Sequence, residues 1–280
     1  LSVPPFLGEL DFLGALIERA RAVDGQPPFS DQALVDLRSG AKTALTIGET
    51  AVAIRSDAEA ELVVDPDARG AGLGTELLER VIALSPGELL VWAHGDHPAA
   101  RRLAATHGFE PVRRLLQLRM ELAGRALRPP VASLPAQGPG ISSFRVGVDD
   151  AEWLRVNSRA FAFHAEQGSV SQADLDELFR EPWFDAEDFL LIRDGDRIAG
   201  YCWLKIDDDI GEFYVVGVDP DHQREGLGRA LMAAGFARLA ERGIRTAALY
   251  VESDNDPAVA LYRTLGFTDH TVDIQYRLTR

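Results

Sequence analysis

GEFYVVGVDPDHQREGLGR, Gly211 to Arg229, changes character halfway along its length. Glu212 to Val218 is apolar and β-branched, the composition of a buried strand, and Gly217 breaks the run where a bulge is expected. Asp219-Pro220 ends the strand, because proline has no N–H for a ladder and disfavours helix in its predecessor. Gln223, Arg224, Glu225, Gly226, Leu227 and Gly228 then open a helix expected to run to about Arg242. A strand, a glycine loop and a helix start make an anion site, where unpaired N–H groups converge and the helix dipole adds positive charge. The glycines let a pyrophosphate approach the backbone with no Cβ between.

The same design occurs twice. VDPDARGAGLG (Val64 to Gly74) aligns without gaps on VDPDHQREGLG (Val218 to Gly228), and Trp92 to Phe109 aligns likewise on Tyr250 to Phe267. A repeat this long is a duplicated domain, not a solenoid. Each half reads as helices, a strand group, the loop and its helix, a strand, a short helix and a closing strand. In the first half the leading helices are Leu7 to Val23 and, capped by Ser30, Asp31 to Arg38. In the second they are Asp150 to Phe163 and Gln172 to Arg180. Between the halves, Gly124 to Gly140 holds Pro129, Pro130, Pro135 and Pro139 and reads as an extended linker. The expected organisation is a domain at 1–123, a linker at 124–140 and a domain at 141–280. Both are α/β, each a mixed, mostly antiparallel sheet flanked by helices, in a pseudo-dimer arrangement within a monomer.

Composition narrows the function. At 280 residues the chain can bury two cores. A net charge of −15 disfavours nucleic acid and anionic membranes as partners. No apolar run is long enough to span a bilayer, and the amphipathic opening carries Glu9, Asp11, Glu18 and Arg19, unlike a signal peptide. A single cysteine, Cys202, points to a reducing compartment, so a cytoplasmic location is expected. It lies in an apolar strand and reads as a small hydrophobe. His94, His97 and His107 have neither zinc nor triad spacing, and no metal is expected. His164 reads as a helix-terminal residue, and Trp153, Trp183 and Trp203 as core anchors.

Several glycine loops compete for the repeated motif. A Walker A loop needs a lysine after its last glycine, and neither copy has one. A dinucleotide fingerprint needs a third glycine where Gly228 is followed by Arg229-Ala230-Leu231. A plain helix start explains one copy more readily than two. Gln223-x-x-Gly226-x-Gly228 and Arg69-x-x-Gly72-x-Gly74 resemble the pyrophosphate loop of the GNAT acetyltransferases. Asn255 to Tyr262 with Leu265-Gly266-Phe267 resembles that family's downstream Asn…Tyr…Gly-Phe segment. The pieces AVDG (Ala22 to Gly25), WAHG (Trp92 to Gly95), Arg155 to Gly168 and Trp183 to Asp185 are similar to the mycothiol synthase family of tandem GNAT proteins.

The resemblance implies acetyl transfer from acetyl-CoA to the cysteinyl amine of desacetylmycothiol, the last step of mycothiol biosynthesis. It places acetyl-CoA against Val216, Gly217 and Val218, the loop from Gln223 to Arg229, and Asn255. In the first half it places a second molecule at Leu62, Val63, Val64, Gly70, Ala71, Gly72, Leu73, Gly74 and Thr75. Substrate contacts are implied at Glu166, Lys205, Glu212 and Tyr250, with Asp31 from the first half. Glu212 is the expected base for the ammonium proton and Tyr262 the expected proton donor to the departing thiolate. Carried upstream at the loop's offset, the repeat sets Glu212 opposite Ala58 and Tyr262 opposite Ala104, so the second half is expected to be the catalytic one. Acetylation of another small amine or a protein N-terminus, and a silent acetyl-CoA sensor, are the alternatives.

Overall fold

A computed structural model describes residues 12–122, 140–162, 165–207 and 209–279, with the side chains of Ala165 and Glu166 outside that description. The linker at 124–139, the start of the first helix and His164 therefore lie outside the described residues. In chain order the elements of the first half are α1 (Phe12–Asp24), α2 (Asp31–Ser39), β1 (Thr43–Ile47), β2 (Ala51–Arg55), β3 (Glu59–Val64), α3 (Leu73–Leu84), β4 (Leu89–Ala93), α4 (Pro98–Thr106) and β5 (Glu110–Glu121). Those of the second are β6 (Ile141–Ser143), α5 (Asp150–Ala160), α6 (Ala165–Gly168), α7 (Gln172–Leu178), β7 (Phe189–Asp194), β8 (Arg197–Asp207), β9 (Ile210–Val218), α8 (Leu227–Glu241), β10 (Thr246–Glu252), α9 (Asp256–Leu265) and β11 (Thr268–Leu278).

The chain forms two compact units. Unit one holds the described residues up to Gln117 together with Val251–Ala260 and the chain from His270 onward; unit two holds Leu118–Tyr250 and Leu261–Asp269. Unit one thus includes most of the last strand, β11, which pairs antiparallel with β4 from Ile274↔Ala93 to Leu278↔Leu89. The rest of its sheet runs β1-β2-β3-β4, antiparallel except for β3 with β4. Alternation along β2 sends Ala51 and Ala53 toward α3, where they meet Leu77, Leu78 and Val81. Val52 and Ile54 pack on the opposite face against Leu13, Leu16 and Ala20 of α1 and Ala33 of α2. Ser30 caps α2 as expected, its Oγ accepting from the Ala33 N–H at 3.1 Å.

In unit two the order β10-β9-β8-β7-β6 combines a parallel β9–β10 pair with antiparallel neighbours. One face is aromatic. Trp153 of α5 stands edge-on to Phe189, Tyr201 and Trp203, at centroid distances of 5.7, 5.6 and 5.8 Å, the arrangement ring quadrupoles favour. On the other face Gly235 of α8 leaves room for Phe213 and for the Cys202 sulfur, which an added Cβ would meet at 3.1 Å. Cys202 is fully buried, and burial pushes its thiol well up, so it packs as a small apolar residue.

Candidate active site

The two glycine turns are near-copies. Asp65 and Asp219 each cap a short 3-10 turn, accepting from Asp67 N–H and Asp221 N–H, both at 3.1 Å. Gly72 and Gly226 follow in the left-handed region at φ +88° and +84°, directly before α3 and α8. Neither helix has a side-chain cap, whereas α2, α4 and α7 do. A Cβ on Gly226 or Gly228 would enter open space. Such a start presents orphan N–H groups to a phosphate, and the residues fit the pyrophosphate of acetyl-CoA.

One difference between the turns is informative. Gly70 has φ +79°, and at the matching place Arg224 has φ +68°, where a side chain costs roughly 1–2 kcal/mol. The second copy keeps a charged side chain at a strained position in its glycine turn.

Asp219 is 2% exposed and is gripped by Arg155 and Arg159 of α5, each at 3.0 Å. Burial alone would raise its carboxyl; the Asp221 N–H and the two guanidinium groups outweigh that and hold it below the usual range. Arg19 of α1 does the same for Asp65, with Nη2 at 2.7 Å. No local pattern announces these clamps, although the aspartate is identical in both copies. Arg69 also braces the first turn, through Val64 O at 3.1 Å and a two-pronged ion pair with Asp24 at 2.7 Å.

The bulge in β9 is not at Gly217. Trp203 pairs with Val215 and Leu204 with Phe213, so Tyr214 is the extra residue. Gly217 pairs in register with Tyr201, and it is glycine because an added Cβ would meet the Tyr201 ring at 2.6–2.7 Å. The β9–β10 ladder runs from Ile210↔Thr246 to Phe213↔Leu249 and stops while both strands continue. Val216, Gly217 and Val218 therefore offer backbone outside that parallel ladder, next to the uncapped helix start.

The bulge corrects the internal comparison. β2–β3 has no such register shift, so a gapless extension runs one residue out. Glu212 pairs with Ala248, and Glu59 pairs with Leu90, the repeat partner of Ala248. Glu59, not Ala58, occupies the place of Glu212. Its carboxylate is committed, however: it accepts from Lys42 Nζ at 2.8 Å and from Trp92 Nε1 at 3.2 Å. Trp92 itself corresponds to Tyr250. Ala104, in α4, retains its place opposite Tyr262 and is buried.

In unit two, Lys205 and Glu212 are direct cross-strand neighbours. The Lys205 ammonium lies 5.5 Å from the centroid of Trp183, which tilts against Tyr214 at 5.2 Å. Trp153 and Trp203 are fully buried, but Trp183 is only partly so, at the edge of the aromatic core. Tyr262 lies on α9, its ring 6.0 Å from Phe267. Burial, and secondarily Cys202, pushes its phenol up, so it holds its proton at neutral pH. Tyr250 is on β10, two residues before its end. Asn255 caps α9, its Oδ1 accepting from Ala258 N–H at 3.3 Å. The side chain of Glu166 lies outside the described residues, and Asp31 is the first residue of α2 in unit one.

His94, set aside on spacing, joins a buried cluster in unit one. Its ring lies 2.9 Å from Asp273 and 3.1 Å from Glu61. Glu61 also accepts from Ser30 N–H and Oγ–H, both at 2.7 Å. Burial would lower the imidazole, but the two carboxylates raise it to about 10. This bridge, from the residue just after β4 to β3 and β11, is electrostatic scaffolding. Among the described residues no group of His, Cys, Asp and Glu forms a metal site, and no helix is long and apolar enough to cross a membrane.

Comparison with known proteins matches the model of the acetyltransferase (GNAT) family to residues 153–267 and that of an acetyltransferase (GNAT) domain to residues 40–111. The chain is 45% identical to the mycothiol acetyltransferase of Kocuria rhizophila, over 95% of each chain. It is 49% identical to that of Clavibacter sepedonicus, over 94% of this chain and 90% of the relative. Among solved structures, a tandem GNAT protein from the clavulanic acid biosynthesis pathway matches with a TM-score of 0.69 at 17% identity, over 100% of this chain and 97% of that one. A GCN5-related N-acetyltransferase from Sphaerobacter thermophilus matches with 0.68 at 23%, over 98% and 94%. These two likenesses concern the fold.

Proposed function

The chain belongs to the mycothiol acetyltransferase family of tandem GNAT proteins, and from that premise we propose which residues carry its acetyl transfer in mycothiol biosynthesis. The reaction moves acetyl from acetyl-CoA to the cysteinyl amine of desacetylmycothiol, and the second half of the chain performs it. The observation that carries this reading is in unit two: a carboxylate, Glu212, stands where the β9–β10 ladder is about to end, one strand-length from an uncapped, left-handed glycine turn.

Acetyl-CoA supplies the activated acetyl group as a thioester. The turn from Gln223 to Arg229 holds its pyrophosphate through backbone N–H groups, and Val216 to Val218 hold the arm that follows. Glu212 accepts the ammonium proton, giving a neutral amine. The nitrogen forms its bond to the acetyl carbon as the carbon–sulfur bond breaks, Tyr262 gives its proton to the departing thiolate, and the proton that the new amide nitrogen sheds passes to the phenolate left behind. The raised phenol suits that role, since it reaches the step protonated. Glu166, Lys205 and Tyr250 orient the hydroxyl-rich amine. In unit one the turn from Gly70 to Thr75, with Leu62 to Val64, holds a second acetyl-CoA without turnover, because Glu59 is neutralised by Lys42 and Ala104 cannot give a proton. The protein acts in the cytoplasm as a monomer.

Incubation with acetyl-CoA and a panel of amines, read by product mass, tests the assignment. Acetylation of the cysteinyl amine of desacetylmycothiol in preference to aminoglycosides, polyamines and peptide N-termini is expected. Preference for another amine overturns the substrate, and no acetylation of any amine overturns the reaction.

A further inference from the structure

We propose that Asn157 is a positioning residue of the amine site, acting by fixing α6, the short helix that carries Glu166; the proposal rests on Glu166 contacting the amine substrate. Asn157 lies on α5, is 1% exposed, and uses both ends of its amide. Its Nδ2 donates to the Gln167 carbonyl oxygen at 2.5 Å, and its Oδ1 accepts from Gln167 Nε2 at 3.1 Å. Oδ1 also accepts from the Tyr201 hydroxyl at 2.6 Å, which occupies its second lone pair. Gln167, the chain neighbour of Glu166, is thus held through backbone and side chain by one buried group. Gly168 completes the seat, since a Cβ there would run into the carbonyl oxygen of Phe161 at the end of α5.

A helix of four residues, Ala165–Gly168, needs such an anchor. Isolated helices shorter than about 12 residues are marginal in water, and the carbonyls of a last turn have no partner within their own helix. Asn157 supplies one of those partners. Its isosteres cannot: aspartate offers the carbonyl no donor and would bury a charge, and leucine strands both the carbonyl and the Tyr201 hydroxyl. The same helix reaches the cofactor side. Arg155 and Arg159 of α5 grip Asp219 before the glycine turn, and the Tyr201 ring packs behind Gly217 of β9. Within unit two, α5 therefore ties the segment assigned to the amine to the strand and turn assigned to acetyl-CoA. The piece from Arg155 to Gly168 works as one device, its two ends joined through Asn157 and Gln167.

The test combines hydrogen exchange with steady-state kinetics on the full chain, using acetyl-CoA and desacetylmycothiol. In Asn157→Leu, amide exchange across α6 is expected to speed up about tenfold, while that of α8 stays within about twofold. The same variant is expected to raise the KM for the amine about tenfold and leave that for acetyl-CoA within about threefold. Glu166→Gln is expected to raise the amine KM as well, and adding Asn157→Leu to it to raise it less than about twofold further. Gln167→Met removes one of the two bonds to Asn157 and is expected to give a smaller rise, about threefold. It also carries the cycle if Asn157→Leu does not fold. Unchanged exchange across α6, an unchanged amine KM, or an effect of the same size with and without Glu166 overturns the proposal. If Glu166→Gln itself leaves the amine KM unchanged, the substrate contact fails first, and the proposal with it. A raised KM there beside unaltered exchange in Asn157→Leu leaves the contact standing and sinks the positioning role alone.

Discussion

Gly217→Ala isolates the packing that supports the cofactor strand. An added Cβ would meet Cζ, Cε1 and the hydroxyl of Tyr201 at 2.6–2.7 Å, about an ångström inside ordinary contact. The ring cannot turn aside, because Tyr201 is fully buried and its hydroxyl donates to Asn157 Oδ1 at 2.6 Å. Asn157 is held in turn by Gln167, whose Nε2 donates to its Oδ1 at 3.1 Å. Relief must come from moving β9 or from breaking a buried hydrogen bond, so a cost of about 1–3 kcal/mol is expected from overpacking. Urea unfolding should show this as a lower midpoint for unit two at unchanged slope. Tyr201→Leu removes the obstructing atoms, and in that background Gly217→Ala should cost less than about 0.5 kcal/mol. Gly228→Ala is the counterpart, since its Cβ would enter open space. It should leave stability intact or slightly raised while weakening acetyl-CoA binding. A Gly217→Ala protein as stable as wild type, or an equal cost in both Tyr201 backgrounds, refutes the reasoning.

Other expectations follow from single contacts. His94→Gln leaves Glu61 and Asp273, 2% and 4% exposed, without their shared cation, and should cost unit one about 3–5 kcal/mol in urea at pH 7. Because the folded imidazole is raised to about 10, its contribution is complete below the ordinary value near 6.5 and is lost as pH rises through about 10. The gap between wild type and variant should therefore stay constant below pH 6, narrow as pH rises from about 6.5 to about 10, and level off above that. At the strained loop position, Arg224→Gly should change stability by less than about 0.5 kcal/mol, whereas β-branched Arg224→Val should cost about 1 kcal/mol or more at φ +68°. Asp219→Asn keeps the cap but weakens the hold of Arg155 and Arg159, and should raise the KM for acetyl-CoA several-fold, measured at saturating amine.

Much of the site was legible because it is written locally. A strand, Val-Asp-Pro-Asp and Gly-Leu-Gly define a turn whose geometry depends on residues a few positions apart, and both copies adopt it as read. What escaped depends on partners distant in sequence. Arg155 and Asp219 are 64 positions apart in number, and no periodicity connects them. The bulge at Tyr214 is invisible to an ungapped comparison, because an inserted residue inside a strand changes register without changing composition. That is why Ala58 took the place that belongs to Glu59. The ion-pair role of His94 is likewise out of reach of local pattern, because its two carboxylates come from β3 and from the far end of the chain. The strand β11, similarly, joins a sheet built from residues nearly two hundred positions earlier, beyond what local pattern encodes.

Under the proposed function two carboxylates at equivalent places, Glu212 and Glu59, differ in what they do. Steady-state acetylation of the cysteinyl amine, followed by product mass, compares Glu212→Gln with Glu59→Gln most directly. Loss of a general base should lower kcat by about 10²–10⁴-fold in Glu212→Gln, while Glu59→Gln, which disturbs only the pair with Lys42 and Trp92, should stay within about twofold of wild type. Equal losses in both variants, or a larger loss in Glu59→Gln, would contradict the assignment of catalysis to the second half.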